Sequence, residues 1–224
     1  MTNTLNILLR DPRAHFGLAL HRPRNLSLLG MGVAGAVAWG AAMGSHVGRA
    51  HLWICALKMP LFLLATLALC FPLMHVVLAV SGVKADVRQT LSVALGGLAT
   101  FALCLGALAP VVGLFCASAP IPSMASYLNL YLLCFACGVI AGAAGLRTLA
   151  HGMRALAPGR VRWPLLAWAL IYQFVGAQMA WILRPWIGSS YGVDGYSLSH
   201  GLTGNFYAGV CHVMRRWLTE YGVL

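Results

Sequence analysis

Acidic residues are nearly absent. Asp11, Asp86, Asp194 and Glu220 are the whole supply, set against fifteen Lys and Arg and scattered along the chain. A paired general acid and base cannot be assembled from them on one face. None falls within an apolar run, where a carboxylate would relay protons or coordinate sodium, so a cation-coupled transporter is poorly supported. Charge of either sign is scarce at 8% of residues, against about 25% in soluble domains. The Gly-rich phosphate loop, His-Glu-x-x-His and Gly-x-Ser-x-Gly are missing too. Ser190, Asp194 and His200 in "SSYGVDGYSLSH" are residue types that polar loops carry routinely. The expectation is a protein that is not an enzyme.

What is present is hydrocarbon-compatible sequence: 60% of residues are hydrophobic and the mean hydropathy is +0.81. Five runs are long enough to cross about 30 Å of bilayer core, which takes about 20 residues. They cover about 26–44, 52–80, 90–117, 127–149 and 164–186. The fold expected is an all-α, polytopic transmembrane bundle. Three regions follow: a basic interfacial segment (1–25), a five-span membrane domain (26–186), and a loop with an amphipathic C-terminal helix (187–224). Pro60 and Pro72 predict a bent or tilted second span, because proline removes an amide donor and clashes with the preceding turn.

Five crossings put the termini on opposite sides, and the distribution of cations selects the orientation. With the N-terminus in the cytoplasm, Arg10, Arg13, Arg22, Arg24, Lys84, Arg88, Arg147, Arg154, Arg160 and Arg162 lie inside. Arg49, Arg184, Arg215 and Arg216 lie outside. This predicts a bacterial inner-membrane protein with its C-terminal tail on the outer side. The net charge of +11 resides mostly in short loops, as topology signals and anionic-lipid contacts do. It does not form a basic face interleaved with aromatics, so nucleic acid is not an expected partner.

Histidines and cysteines point to packing rather than to a cofactor. His75 is the one histidine plainly within a span, and no second buried histidine matches its depth, so a haem-binding cytochrome is only a distant alternative. Cys134 and Cys137 form a Cys-x-x-Cys pair inside an apolar run without a second pair at zinc spacing, which is weak evidence for metal or redox chemistry. Small residues supply a packing code: Ala36, Gly40 and Gly44 at four-residue spacing in one span, and Gly138 with Gly142, or Ala141 with Gly145, in another. Such spacing lets helix backbones approach, within one chain or across a homo-oligomer seam.

One cation interrupts the hydrophobic pattern. Lys58 stands in "ICALKMPLFLLATL" with no acid in reach along the chain. Its depth either lets it snorkel to the headgroups or puts it in an outer-leaflet polar layer with Gln178 and Asn129, extended toward the midplane by Gln173 and Tyr172. That layer would be structural glue or the lining of a vestibule. In an oligomer a ring of such lysines would favour anions.

The segments "LKMPLFLLATLALCFP", "YQFVGAQMAWILRPWIG" and "GNFYAGV" resemble small bacterial polytopic proteins grouped as Yip1-like. The resemblance implies a five-span helical fold and a role in organising membranes through partner proteins. It carries over no functional residue, and the long acidic cytosolic region of many such relatives is missing here. The expected function is a non-enzymatic inner-membrane subunit or scaffold that assembles with itself or with a partner in a membrane complex. An oligomeric, anion-selective channel with Lys58 near the pore is the alternative. Membrane lipids are the expected small-molecule partners, with no cofactor or metal.

Overall fold

The computed structural model describes residues 25–118, 124–156, 162–184, 186 and 204–220; the basic N-terminal segment and the triad-like residues Ser190, Asp194 and His200 lie outside them. Six helices make up the described chain: α1 (Asn25–Gly44), α2 (Arg49–Val80), α3 (Val87–Ser118), α4 (Met124–Leu156), α5 (Arg162–Ile182) and α6 (Phe206–Glu220). No strand occurs among the described residues. The first five are long and apolar enough to cross a membrane, and α6 is not. The all-α, five-span architecture is therefore what the hydropathy pattern specifies.

α2 runs unbroken through Pro60 and Pro72 for 32 residues. At 1.5 Å per residue that is about 48 Å, longer than about 30 Å of hydrocarbon, so the helix tilts or projects past the bilayer core. Where the prolines lie, side chains bond to the helix carbonyls: Thr66 Oγ1 donates to Phe62 O at 2.8 Å and Trp168 Nε1 of α5 donates to Cys70 O at 3.2 Å.

The packing order across the bundle is α4, α3, α1, α2, α5, with α2 and α3 touching to a lesser degree. α4 and α5 stand at the two ends of this curled row and meet only lightly. α6 touches both of them. Two hydrophobic clusters fill the interior. One, remote from α6, joins all five spans through Leu28, Met74, Val93, Met153 and Trp168. The other, at the α6 end, draws Trp39, Leu63, Leu105 and Leu130 from α1 to α4, and Trp186 packs on its edge. Among the described residues, α5 itself contributes nothing to that second cluster; Trp186 follows it in the chain.

Glycines decide how closely α1 lies against its neighbours. A Cβ on Gly35 would collide with the Ala102 backbone, and one on Gly40 with the Cys55 carbonyl. A Cβ on Gly44 would stand 2.7 Å from the His51 carbonyl oxygen. Ala36 is buried in the same region, so the expected Ala36, Gly40 and Gly44 code is used inside the chain. Gly145 likewise lies against Gly97 and Phe101. Gly138 and Gly142 differ: a Cβ on either meets nothing within 4 Å. These two face away from the bundle, because the buried stripe of α4 runs through Leu130, Cys137 and Ala141 instead. A helix turns 100° per residue, so neighbouring small residues one position apart look in different directions.

Candidate functional site

Lys58, Asn129 and Tyr172, three of the five polar residues expected in one outer-leaflet cluster, have different described neighbours. Lys58 is half-buried, and its ammonium lies 5.1 Å from the centre of the Trp186 ring. Asn129 of α4 accepts a hydrogen bond from Trp217 Nε1 of α6 at 3.0 Å. Tyr172 packs on Trp168, ring centres 4.8 Å apart, in the cluster remote from α6. Gln173 is exposed, and Gln178 is half-buried. Neither glutamine makes a hydrogen bond among the described residues.

Register explains the departure. The helix of the fifth span ends at Ile182, so counting it through Trp186 displaces every residue in it. A Cβ on Gly176 would lie 3.6 Å from the Thr66 methyl. With α2 and α5 antiparallel, Gln178 is then level with Leu64, six residues from Lys58, or about 9 Å along the axis.

A different constellation forms at this end, built on the segment after α5. Trp186 Nε1 donates to Ala180 O at 2.7 Å, satisfying one of the carbonyls that a helix C-terminus leaves open. The Trp186 carbonyl in turn accepts from His51 Nε2 at 3.1 Å and from Cys55 Sγ at 3.2 Å, one turn apart on α2. A carbonyl only accepts, so the His51 proton is on Nε2. The Trp186 ring is held edge-on by Phe62, with centres 5.5 Å apart. Thus the end of α5 is pinned to the start of α2 by one residue.

Trp181, the penultimate residue of α5, organises the other side. The Arg184 guanidinium lies 3.7 Å from the centre of its ring, a cation–π stack. Gly204 and Gly209 press on the same indole, and a Cβ on Gly209 would collide with it. Gly204 has φ of +79°, a conformation that glycine adopts without the Cβ penalty. Asn205 then begins α6, its Oδ1 accepting from the Ala208 amide at 2.8 Å. "GNFYAGV" is therefore a fitted start for a helix seated on Trp181.

Other sequence candidates are accounted for by packing. His75 Nδ1 lies 3.4 Å from Thr90 Oγ1. Cys137 is buried in the second cluster with Cys134 packed against it, and both are free thiols. No group of three metal-ligating side chains occurs among the described residues. His46, in the turn between α1 and α2, has a buried Nδ1 with no hydrogen-bond partner among the described residues, and burial pushes its pKa below the usual histidine value.

Lys58 does not line the cavity within the bundle. A cavity of about 10 Å³ lies among α1, α2 and α3, lined by Leu28, Val33, Ala36, Leu63 and Leu95. It is at the lower limit for a single water and has an apolar lining, so it stays dry. Sequence reasoning missed the Trp186 and Trp181 anchors. Their signal was "AWILRPW", which reads as an aromatic belt and reveals nothing of a chain turning back on its own helices. Among known proteins, no family model, no curated sequence and no solved structure matches this chain.

Proposed function

We propose that this chain is a non-enzymatic subunit of a bacterial inner membrane, a scaffold that assembles through the α6 end with a second copy or with a partner protein. One observation carries the reading: α1 lies backbone-close against α2 and α3, while tryptophan, cation and amide contacts collect at one end around Trp181, Trp186 and Trp217. Docking needs a shaped polar rim on a rigid support. Lys58 against the Trp186 ring serves such a rim better than a conduction path. The positive-inside distribution orients this end outward, with the N-terminus in the cytoplasm. The Yip1-like resemblance, which implies action through partner proteins, agrees with the reading.

The test is extraction of the full chain in lipid nanodiscs or mild detergent, followed by native mass spectrometry. A complex larger than one chain is the expected result. A lone, partner-free monomer across conditions overturns the assignment. Orientation has its own readout in Cys211, which is exposed on α6. A membrane-impermeant thiol reagent should label it in spheroplasts, and labelling only after lysis would reverse the topology.

A further inference from the structure

α6 divides into three longitudinal sectors, each with a different solvent. The first faces the bundle: Phe206, Gly209, Val210, Val213 and Trp217 are half-buried, recurring at three- and four-residue steps. The second carries Tyr207, Cys211 and Met214, at four- and three-residue steps, all three exposed, with Tyr207 at 43% and Met214 at 50%. A third sector, next to the second, holds His212, Arg215, Arg216 and Thr219, also exposed. A helix seated on its own protein needs only one apolar sector. The second is apolar and remains largely exposed beside a basic one, with only Tyr207 reaching α5.

That combination is the composition of a helix lying in the plane of a membrane interface, with an apolar side at the acyl boundary and cations among the headgroups. Its placement agrees. α6 touches α4 and α5, stacks Tyr207 on Phe174 of α5, and bonds Trp217 to Asn129 of α4, so it runs beside spans and not above a soluble domain. The charge selects the lipid. Arg215 and Arg216 make no ion pair among the described residues, and juxtamembrane arginines are drawn to anionic headgroups.

We infer that α6 is a recognition element for anionic phospholipid: Arg215 and Arg216 engage headgroup phosphates while Tyr207 and Met214 enter the acyl boundary. Lipid binding in this way adds to the Trp181 and Asn129 contacts in seating α6 across the gap between α4 and α5. The inference concerns the single chain and stands apart from the scaffold reading.

The experiment uses the full protein, one chain per nanodisc, in phosphatidylcholine alone or with about a third phosphatidylglycerol. Hydrogen exchange of the α6 amides is the readout. In the anionic discs exchange should slow on the order of tenfold at low salt, since each surface arginine contributes appreciably to anionic-membrane binding. High salt and the Arg215→Gln/Arg216→Gln double variant should each abolish the difference, while both proteins exchange alike in phosphatidylcholine. Equal exchange in the two lipids overturns the inference, as does a lipid effect that survives in the double variant. A Met214→Ser variant, which keeps both charges, should exchange faster than the wild type in both lipids while retaining the salt-sensitive difference between them, and exchange equal to the wild type in both lipids would overturn the place of Met214 in the acyl boundary.

Discussion

The carbonyl oxygen of Trp186 accepts a hydrogen bond from the His51 imidazole at 3.1 Å, across 135 positions of sequence. This contact, doubled by Cys55 one turn further along α2, closes the end of α5 onto the start of α2. His51 is 6% exposed, so little water is available to replace it.

Replacing His51 with Ala should therefore destabilise the bundle by about 1 kcal/mol, the worth of one hydrogen bond, because Cys55 still donates to the same carbonyl. Gln, which keeps a donor, should recover part of the loss. Tryptophan-fluorescence melts of the detergent-solubilised protein measure both. A His51→Ala melt that coincides with the wild type would remove the latch from the account.

Glycine substitutions separate the packed face of α1 from the open face of α4. Gly35→Ala and Gly40→Ala place a methyl into backbone atoms of α3 and α2, and helix separation should lower stability by several kcal/mol. Gly138→Ala and Gly142→Ala meet open space. A helix gains about 0.5–1 kcal/mol from such a change, so the monomer should melt unchanged or higher. Loss of an assembled species in these two variants alone would place an oligomer seam on α4.

The Trp217 indole is the tie between α6 and α4. Trp217→Phe keeps an aromatic ring but removes the Nε1 donor to Asn129, a hydrogen bond worth about 1 kcal/mol. Exchange of α6 amides should accelerate roughly fivefold, while α1 to α3 remain unaffected. Uniform acceleration throughout the chain would instead mean that α6 is part of the global cooperative unit.

His46 gives the fold a pH dependence of definite sign. Burial lowers its pKa in the folded protein, so the unfolded chain, near 6.5, binds the proton more readily. Stability is then full above about pH 6.5 and falls with acidification until the folded group also titrates. Melts between pH 7.5 and 5 should show the decline, and a His46→Gln variant should show a shallower one. Parallel slopes in the two proteins would assign the effect to another histidine.

Much of this architecture was legible in the chain. Apolar runs of about 20 residues or more fix five crossings, because an unbonded peptide group in hydrocarbon is so costly that the segment must be a helix. The tail was legible as an amphipathic helix for the same reason of period. Packing partners were less so. "GMGVAGAVAWGAAMG" announces close approach, but it does not say that Gly35 meets α3 while Gly40 and Gly44 meet α2. Lys58, Gln178 and Asn129 were assigned one depth by counting inward from the ends. That count fails because α5 stops at Ile182 and the chain doubles back, so Asn129 goes to Trp217 and Lys58 to Trp186.

The sequence by itself determined the solvent, the number of crossings and the scarcity of acids, since these follow from local composition and the thickness of a bilayer. Only the tertiary structure decided which helix faces are covered, where Trp181 and Trp186 anchor, and how α6 exposes an apolar and a basic side together. Neighbour identity depends on helix rotation and register, and a shift of one residue turns a helix by 100° without altering its hydropathy.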